Sequence, residues 1–161
     1  VEETKKIVEV PNFKGYIHDV GGPTANFRYT SCKRQQTEGI CAGRKCLAPT
    51  PCKHLEVDHH EYIKLLKAIE NVPKVKKVFI RSGIRYDYLI ADKDESFFKD
   101  LVRYHVSGQL KVAPEHISQN VLKHMGKPRR EVYDKFCEKF YNITILLQGD
   151  EHFYKLRLFY F

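Results

Sequence analysis

The sequence predicts an α/β protein built on a short, open parallel sheet. Two observations carry that expectation. Strand-like and helical segments alternate from Gly15 to Tyr141, the pattern of right-handed βαβ units. Each strand-like segment also ends in a glycine-bearing or polar turn, Gly21-Gly22, Ser82-Gly83 and Pro114-Glu115-His116. Parallel α/β proteins collect their ligands at such carboxyl ends. Three strands are too few to close a barrel, so the sheet is expected to be a segment with open edges.

Taken in order, Glu2 to Val8 reads as helical turns stopped before Pro11, because proline cannot continue a helix. Gly15 to Val20 is the first strand, closed by Gly-Gly-Pro. Residues 28 to 54 show neither period and form a long cysteine-rich loop, a length usually tied to function or held by something. His60 to Ile69 is helical, with Tyr62, Leu65, Leu66 and Ile69 on one face. His59 and His60, opening that helix, are expected to be exposed. Val75 to Ile80 is the second strand. Tyr86 to Ile90 and Ser96 to Val106 are helical, Phe97, Leu101 and Tyr104 sharing a side. Gly108 to Ala113 is the third strand, broken by Pro114. Ile117 to Met125 and Arg130 to Tyr141 are helices separated by Gly126 and Pro128, with Cys137 expected in the core. From Ile143 onward the chain looks foreign: Ile143 to Leu147 is strand-like, and 153 to 161 is an aromatic tail.

The 161 residues are 42% hydrophobic and 30% charged, with mean hydropathy −0.49. These values describe a soluble unit long enough to bury a core. No apolar run approaches the roughly 20 residues that span a bilayer. Val1-Glu2-Glu3-Thr4-Lys5-Lys6 is no signal peptide and lacks an initiator methionine, so the chain is expected to begin inside a longer protein. Five cysteines without an export signal fit a reducing, cytoplasmic setting. The net charge of +8 is spread evenly, as on a solvated surface. It would also favour RNA, but Tyr16, Phe79 and Phe97 read as core residues rather than an exposed stacking platform, which ranks nucleic acid last among partners.

Cys32, Cys41, Cys46 and Cys52 are spaced Cys-x8-Cys-x4-Cys-x5-Cys. Thiolates in such number suit zinc or an iron–sulfur cluster, although paired Cys-x2-Cys spacing is absent, and free loop thiols are the plain alternative. His18, His54, His59 and His60 are candidate nitrogen ligands nearby. Gly21 and Gly22 permit close approach of backbone to a ligand, with Thr24 and Asn26 supplying polar groups; an ordinary βα turn is the alternative. Ser82, Arg85 and Asp87, then Glu115 and His116, extend that polar rim over successive strand ends. Phosphate-loop, dinucleotide, zincin and hydrolase signatures are absent.

Four strings carry a resemblance: Phe13-Lys14-Gly15-Tyr16-Ile17-His18-Asp19-Val20-Gly21-Gly22-Pro23-Thr24-Ala25-Asn26, Phe79 to Asp87, Gly108 to His116, and Met125-Gly126-Lys127-Pro128. In these, from about residue 1 to about residue 141, the chain resembles the YgiQ-type radical SAM family. The resemblance implies a partial parallel (β/α) barrel over 1–141, followed by a divergent tail over 142–161. It further implies a 4Fe–4S cluster that binds S-adenosylmethionine and cleaves it reductively to a 5′-deoxyadenosyl radical. Gly21, Gly22 and Pro23 would then contact the methionyl amino group, with Thr24 and Asn26 beside them. Ser82, Arg85 and Glu115 would lie near the ribose and carboxylate.

The departure from that family is its Cys-x3-Cys-x2-Cys cluster loop, which this sequence lacks. The expectation is therefore a fragment of a radical SAM protein, from truncation, frameshift or a split gene. It would be inactive alone and completed by a complementary half of the barrel. The alternative is a cysteine-rich module binding zinc or an auxiliary cluster without catalysis.

Overall fold

Parallel backbone pairing over very short strands forms the spine of the protein. The computed structural model describes residues 1–147 and, as backbone, 157–160. The elements run α1 (Glu2–Ile7), β1 (Tyr16–Ile17), α2 (Lys33–Glu38), α3 (His60–Glu70), β2 (Lys77–Val78), α4 (Tyr86–Ala91), α5 (Ser96–Asp100), β3 (Gln109–Val112), α6 (Gln119–Met125), α7 (Arg130–Leu147) and β4 (Arg157–Tyr160). β1 pairs with β2 in parallel, Ile17 opposite Val78. β3 pairs with β4 in parallel, Leu110 opposite Leu158.

The two ladders are joined through backbone. Lys111 N–H donates to Arg81 O at 2.7 Å, and Ile80 N–H to His105 O at 2.7 Å. Beyond β1 and β2 the pairing continues, Phe79 N–H donating to Ile17 O and Val20 N–H to Phe79 O, each at 2.9 Å. The strands are thus shorter as regular elements than the sequence suggests, yet their extensions to Val20 and Arg81 still bring the strand ends side by side. The arrangement is α/β with a small parallel sheet, as expected.

The core lies between this sheet and the helices. Val78, Ile80 and Leu110 from the strands meet Tyr62 and Leu66 of α3, Phe97 and Phe98 of α5, and Phe136 and Phe140 of α7. Phe98 and Phe136 stack with ring centroids 5.6 Å apart, the geometry aromatic pairs favour. Cys137 is half-buried and packs against this cluster, as expected.

Four expectations are corrected. α5 passes into a π-helical turn over Leu101–His105, which adds a residue to the turn and rotates the face. Val102 and His105 are therefore buried beside Leu101, and Tyr104 is exposed. His105 is held there because its ring Nδ1–H donates to Val78 O at 2.9 Å. The loop over 28 to 54 contains the short helix α2. The strand-like Ile143 to Leu147 is instead the last turns of α7, where Ile143 and Thr144 continue the buried stripe of Phe136 and Phe140; helical spacing of buried side chains outweighs β-branched propensity there. Tyr16 is exposed, stacked on half-buried Phe79 at 6.4 Å. Within the expected tail, 157–160 is the backbone strand β4, and 148–156 and 161 lie outside the described residues. Among the described residues no helix is long and apolar enough to cross a membrane.

Phe136 is fully buried whereas Leu146 is 81% exposed. Phe136→Ala is expected to destabilise by about 3–5 kcal/mol, and Leu146→Ala by less than about 0.5 kcal/mol. Urea denaturation of the two variants against the parent measures the difference; equal midpoints would contradict the placement of the core.

Candidate functional site

Asp19, at the end of β1, ties two strand-end loops together. Its Oδ1 accepts from Gly21 N–H at 2.8 Å and from Arg81 N–H at 2.9 Å. Its Oδ2 accepts from Ser82 Oγ–H at 2.8 Å. The loops then run against each other backbone to backbone: Ala25 N–H donates to Gly22 O at 3.0 Å and to Gly83 O at 2.9 Å. A Cβ on Gly83 (φ 79°) would strike the Gly22 backbone, and one on Gly21 would strike the Ser82 carbonyl. These glycines permit the approach of one loop to the other, a packing requirement the sequence does not separate from ligand contact.

Asn26 is 1% exposed and works as a three-way connector. Its Oδ1 accepts from Arg85 N–H at 2.7 Å, and its Nδ2 donates to Arg85 O at 3.2 Å and to His59 Nε2 at 3.1 Å. Because both Nδ2 hydrogens are used this way, His59 Nε2 is an acceptor. Nδ1 then carries the ring proton and donates to Asp92 Oδ2 at 2.5 Å. His59 is 2% exposed, lies 4.6 Å from the Phe97 ring in a stack, and meets Tyr88 edge-on. The expectation of an exposed His59 is therefore corrected: the residue before the helix points inward onto aromatic rings. His60 is exposed as expected, paired with Asp58 at 2.6 Å. Burial pushes the His59 pKa down, with Asp92 acting in the opposite direction.

Arg85 presents its guanidinium to Asp87 in a two-point pair, Nε to Oδ1 at 3.1 Å and Nη2 to Oδ2 at 2.5 Å. Asp87 is buried, and its Oδ1 also accepts from Tyr88 N–H at 3.0 Å. Across the gap, Lys127 Nζ pairs with Glu115 Oε1 at 2.7 Å. Between these pairs lies a cavity of about 380 Å³. Pro23, Thr24, Ser82, Arg85 and Glu115 all line it, together with Asp87, Lys111 and Lys127. Thr24 (φ 55°) and Glu115 (φ 71°) are both in the left-handed region, a conformation that costs non-glycine residues energy and gathers at binding sites. The structure so brings together Pro23 and the predicted polar residues Thr24, Ser82, Arg85, Asp87 and Glu115 from three strand ends. Gly21, Gly22 and Asn26 stand behind that lining and shape it.

Asp19, His59, Asp92 and Lys127 were not foreseen as parts of this site. Only Asp19, near the end of the predicted strand Gly15 to Val20, and Lys127, within Gly-Lys-Pro, carry any local signal.

The predicted metal residues lie elsewhere, around a second and wider cavity of about 1120 Å³. Cys32, Cys41, Cys46 and Cys52 all line it, as does His54, whereas His18 does not. Among the described residues no three His, Cys, Asp or Glu side chains converge at metal-ligand spacing. Burial, and then the Cys32, Cys52 and Cys41 thiols, push the Cys46 thiol pKa up.

A histidine whose folded pKa lies below its ordinary 6.5 binds its proton more readily unfolded. Its contribution to stability is therefore complete above about pH 6.5 and is lost as pH falls toward the folded pKa. Unfolding midpoints measured against pH are expected to drop in that window, by at most about 1.4 kcal/mol per pH unit for one proton. His59→Gln should flatten that slope; an unchanged slope would exclude His59 as its source. Gly83→Ala is expected to lower stability by more than the roughly 1 kcal/mol typical of a point substitution, since left-handed backbone and a collision with Gly22 act together. Thermal melts check it, and a neutral result would contradict the close approach of the loops.

Comparison with known proteins places the chain beside UPF0313 proteins. It is 60% identical over 144 residues to a UPF0313 protein of Clostridium perfringens, covering 89% of this chain and 22% of that relative. A UPF0313 protein of Clostridium botulinum is 58% identical over 144 residues, with the same coverage of each chain. No family model matches, and no solved structure matches. The chain spans about a fifth of the length of the curated relatives it matches, and over 89% of its own length it is a homologue of proteins named UPF0313.

Proposed function

We propose that this chain is a segment of a radical SAM protein whose strand-end cavity holds part of S-adenosylmethionine. One observation carries the reading: Pro23, Thr24, Ser82, Arg85 and Glu115, separated by up to 92 positions, line one cavity at the carboxyl ends of parallel strands. That is where open α/β sheets bind ligands, and its volume falls within the roughly 300–1,000 Å³ of small-molecule sites.

The donor set suits the cofactor. Arg85, Lys111 and Lys127 are cations suited to the methionyl carboxylate, and Ser82 and Glu115 can hydrogen-bond ribose hydroxyls. Pairing with Asp87 and Glu115 holds the Arg85 and Lys127 side chains in place before a ligand arrives, which lowers the ordering cost of binding. When bound beside a reduced iron–sulfur cluster, S-adenosylmethionine supplies a 5′-deoxyadenosyl radical.

The cluster itself does not fit the cysteines present. Their intervals are eight, four and five residues in place of three and two, and their thiols line the other cavity. No bond-breaking step is therefore assigned to residues of this chain; its part is to bind and orient the cofactor. The matched relatives are several times longer, so a cluster loop and the complementary strands of a barrel would come from sequence outside these residues. A cytoplasmic protein working as part of a larger polypeptide or assembly follows from this reading.

Two measurements test it. Isothermal titration of the chain with S-adenosylmethionine is expected to show weak binding that Ser82→Ala and Arg85→Met weaken further. The chain alone, given dithionite and S-adenosylmethionine, should form no 5′-deoxyadenosine. Substituted for the matching segment of the Clostridium perfringens relative, it should support that cleavage. Cleavage by the isolated chain, or a substituted relative that cleaves equally well with Arg85→Met and Ser82→Ala combined, would overturn the proposal.

A further inference from the structure

The segment from Ser31 to Glu56 leaves the sheet and returns to it at one point. Glu56 N–H donates to Ser31 O at 2.8 Å, closing the neck. Tyr88 of α4 grips both sides of that neck: its hydroxyl lies 2.7 Å from Ser31 Oγ and accepts from Asp58 N–H at 3.1 Å. Between those anchors only Leu47 and Ala48 are buried, and α2 is the one helix. A segment of this length with so little apolar burial is normally held by something else.

Four thiols face the cavity inside it. Cys32 precedes α2, Cys41 follows it, and Cys46 and Cys52 are drawn together where Cys52 N–H donates to Cys46 O at 2.8 Å. The rest of the lining is selective. It includes Arg34, Arg44, Lys45 and Lys53, and no aspartate or glutamate. Four thiolates around a divalent ion carry a net charge of −2, which a basic lining offsets and an acidic one would oppose.

We propose that Cys32, Cys41, Cys46 and Cys52 are the ligands of a tetrathiolate metal centre, with zinc as its occupant, which holds the 31–56 segment closed. The centre is structural: four protein ligands leave zinc no open position for substrate. Binding releases the thiol protons and draws the cavity walls inward, so the site forms with the metal rather than ahead of it. The proposal stands on this cavity alone and is independent of the strand-end site.

The test uses the whole chain, reduced and stripped of metal with a chelator, and titrated with Co²⁺ and with Zn²⁺. One equivalent of Co²⁺ is expected to give the intense near-ultraviolet thiolate-to-cobalt band and the visible bands of tetrahedral coordination. Zn²⁺ should displace it and protect four of the five cysteines from alkylation, leaving Cys137 reactive on unfolding. Cys41→Ser should abolish one-to-one binding, and because Cys41 is exposed its circular dichroism should match the parent. Cys137→Ser should bind as the parent does. Iron with acid-labile sulfide in the freshly purified chain, lost in Cys41→Ser, would overturn zinc as the occupant and leave the four thiols as ligands of a cluster. Binding that survives Cys41→Ser and Cys52→Ser together, four thiols that stay reactive with metal present, or a disulfide between them in the cytoplasmically expressed protein would overturn it.

Discussion

The side chain of Asn26 is the junction on which the arrangement rests. It is fully buried, and its amide is committed on both sides: to the N–H and C=O of Arg85, and to the His59 ring. A side-chain amide that satisfies one residue's donor and acceptor together acts like an extra rung of sheet. It replaces backbone pairing where the strands have already ended. Buried polar networks of this kind hold geometry tightly because leaving any member unpaired is costly. The loop after β1 is in this way fastened to the loop after β2, and both to the start of α3.

Two neighbouring sites share that junction without sharing residues. On one side Arg85, whose backbone Asn26 fixes, lines the strand-end cavity with Ser82, Glu115 and Lys127. On the other, the chain leads from Asp58 and His59 back into the neck of the cysteine segment, where Tyr88 holds Ser31 and Asp58. Tyr88 sits one position from Asp87, the partner of Arg85. The rigid α4 turn therefore carries the base of one site and the rim of the other. The aromatic packing of His59 on Phe97 and Tyr88 ties this turn to the main core.

Much of this could be read in the chain because its signals are local. Strand ends carry their glycines and polar residues in sequence, and parallel topology places such ends together; Pro23, Thr24, Ser82, Arg85 and Glu115 were legible for that reason. Helical spacing gave α3 and the first turns of α7. The π-helical turn at Leu101–His105 was not legible, since one added residue per turn leaves no mark in composition. Nor was the continuation of α7 through Ile143 to Leu147, where β-branched residues favour a strand by propensity and only contact with the core makes the helix preferable.

His59 marks the boundary most clearly. By sequence it is one of two histidines before a helix, among Asp58 and Glu61, and reads as solvent-facing. Its burial is decided by Asn26, 33 residues earlier, and Asp92, 33 residues later, with Phe97 supplying the surface it stacks on. The sequence by itself determined the fold class, the polar strand ends and the crowding of four cysteines into one segment, since each follows from neighbours along the chain. Only the tertiary structure decided that the glycines serve loop-to-loop approach, that the thiols face a basic cavity apart from the strand ends, and that a histidine joins the two regions. Those depend on groups far apart in the chain whose meeting is set by packing and by the need to satisfy buried polar atoms.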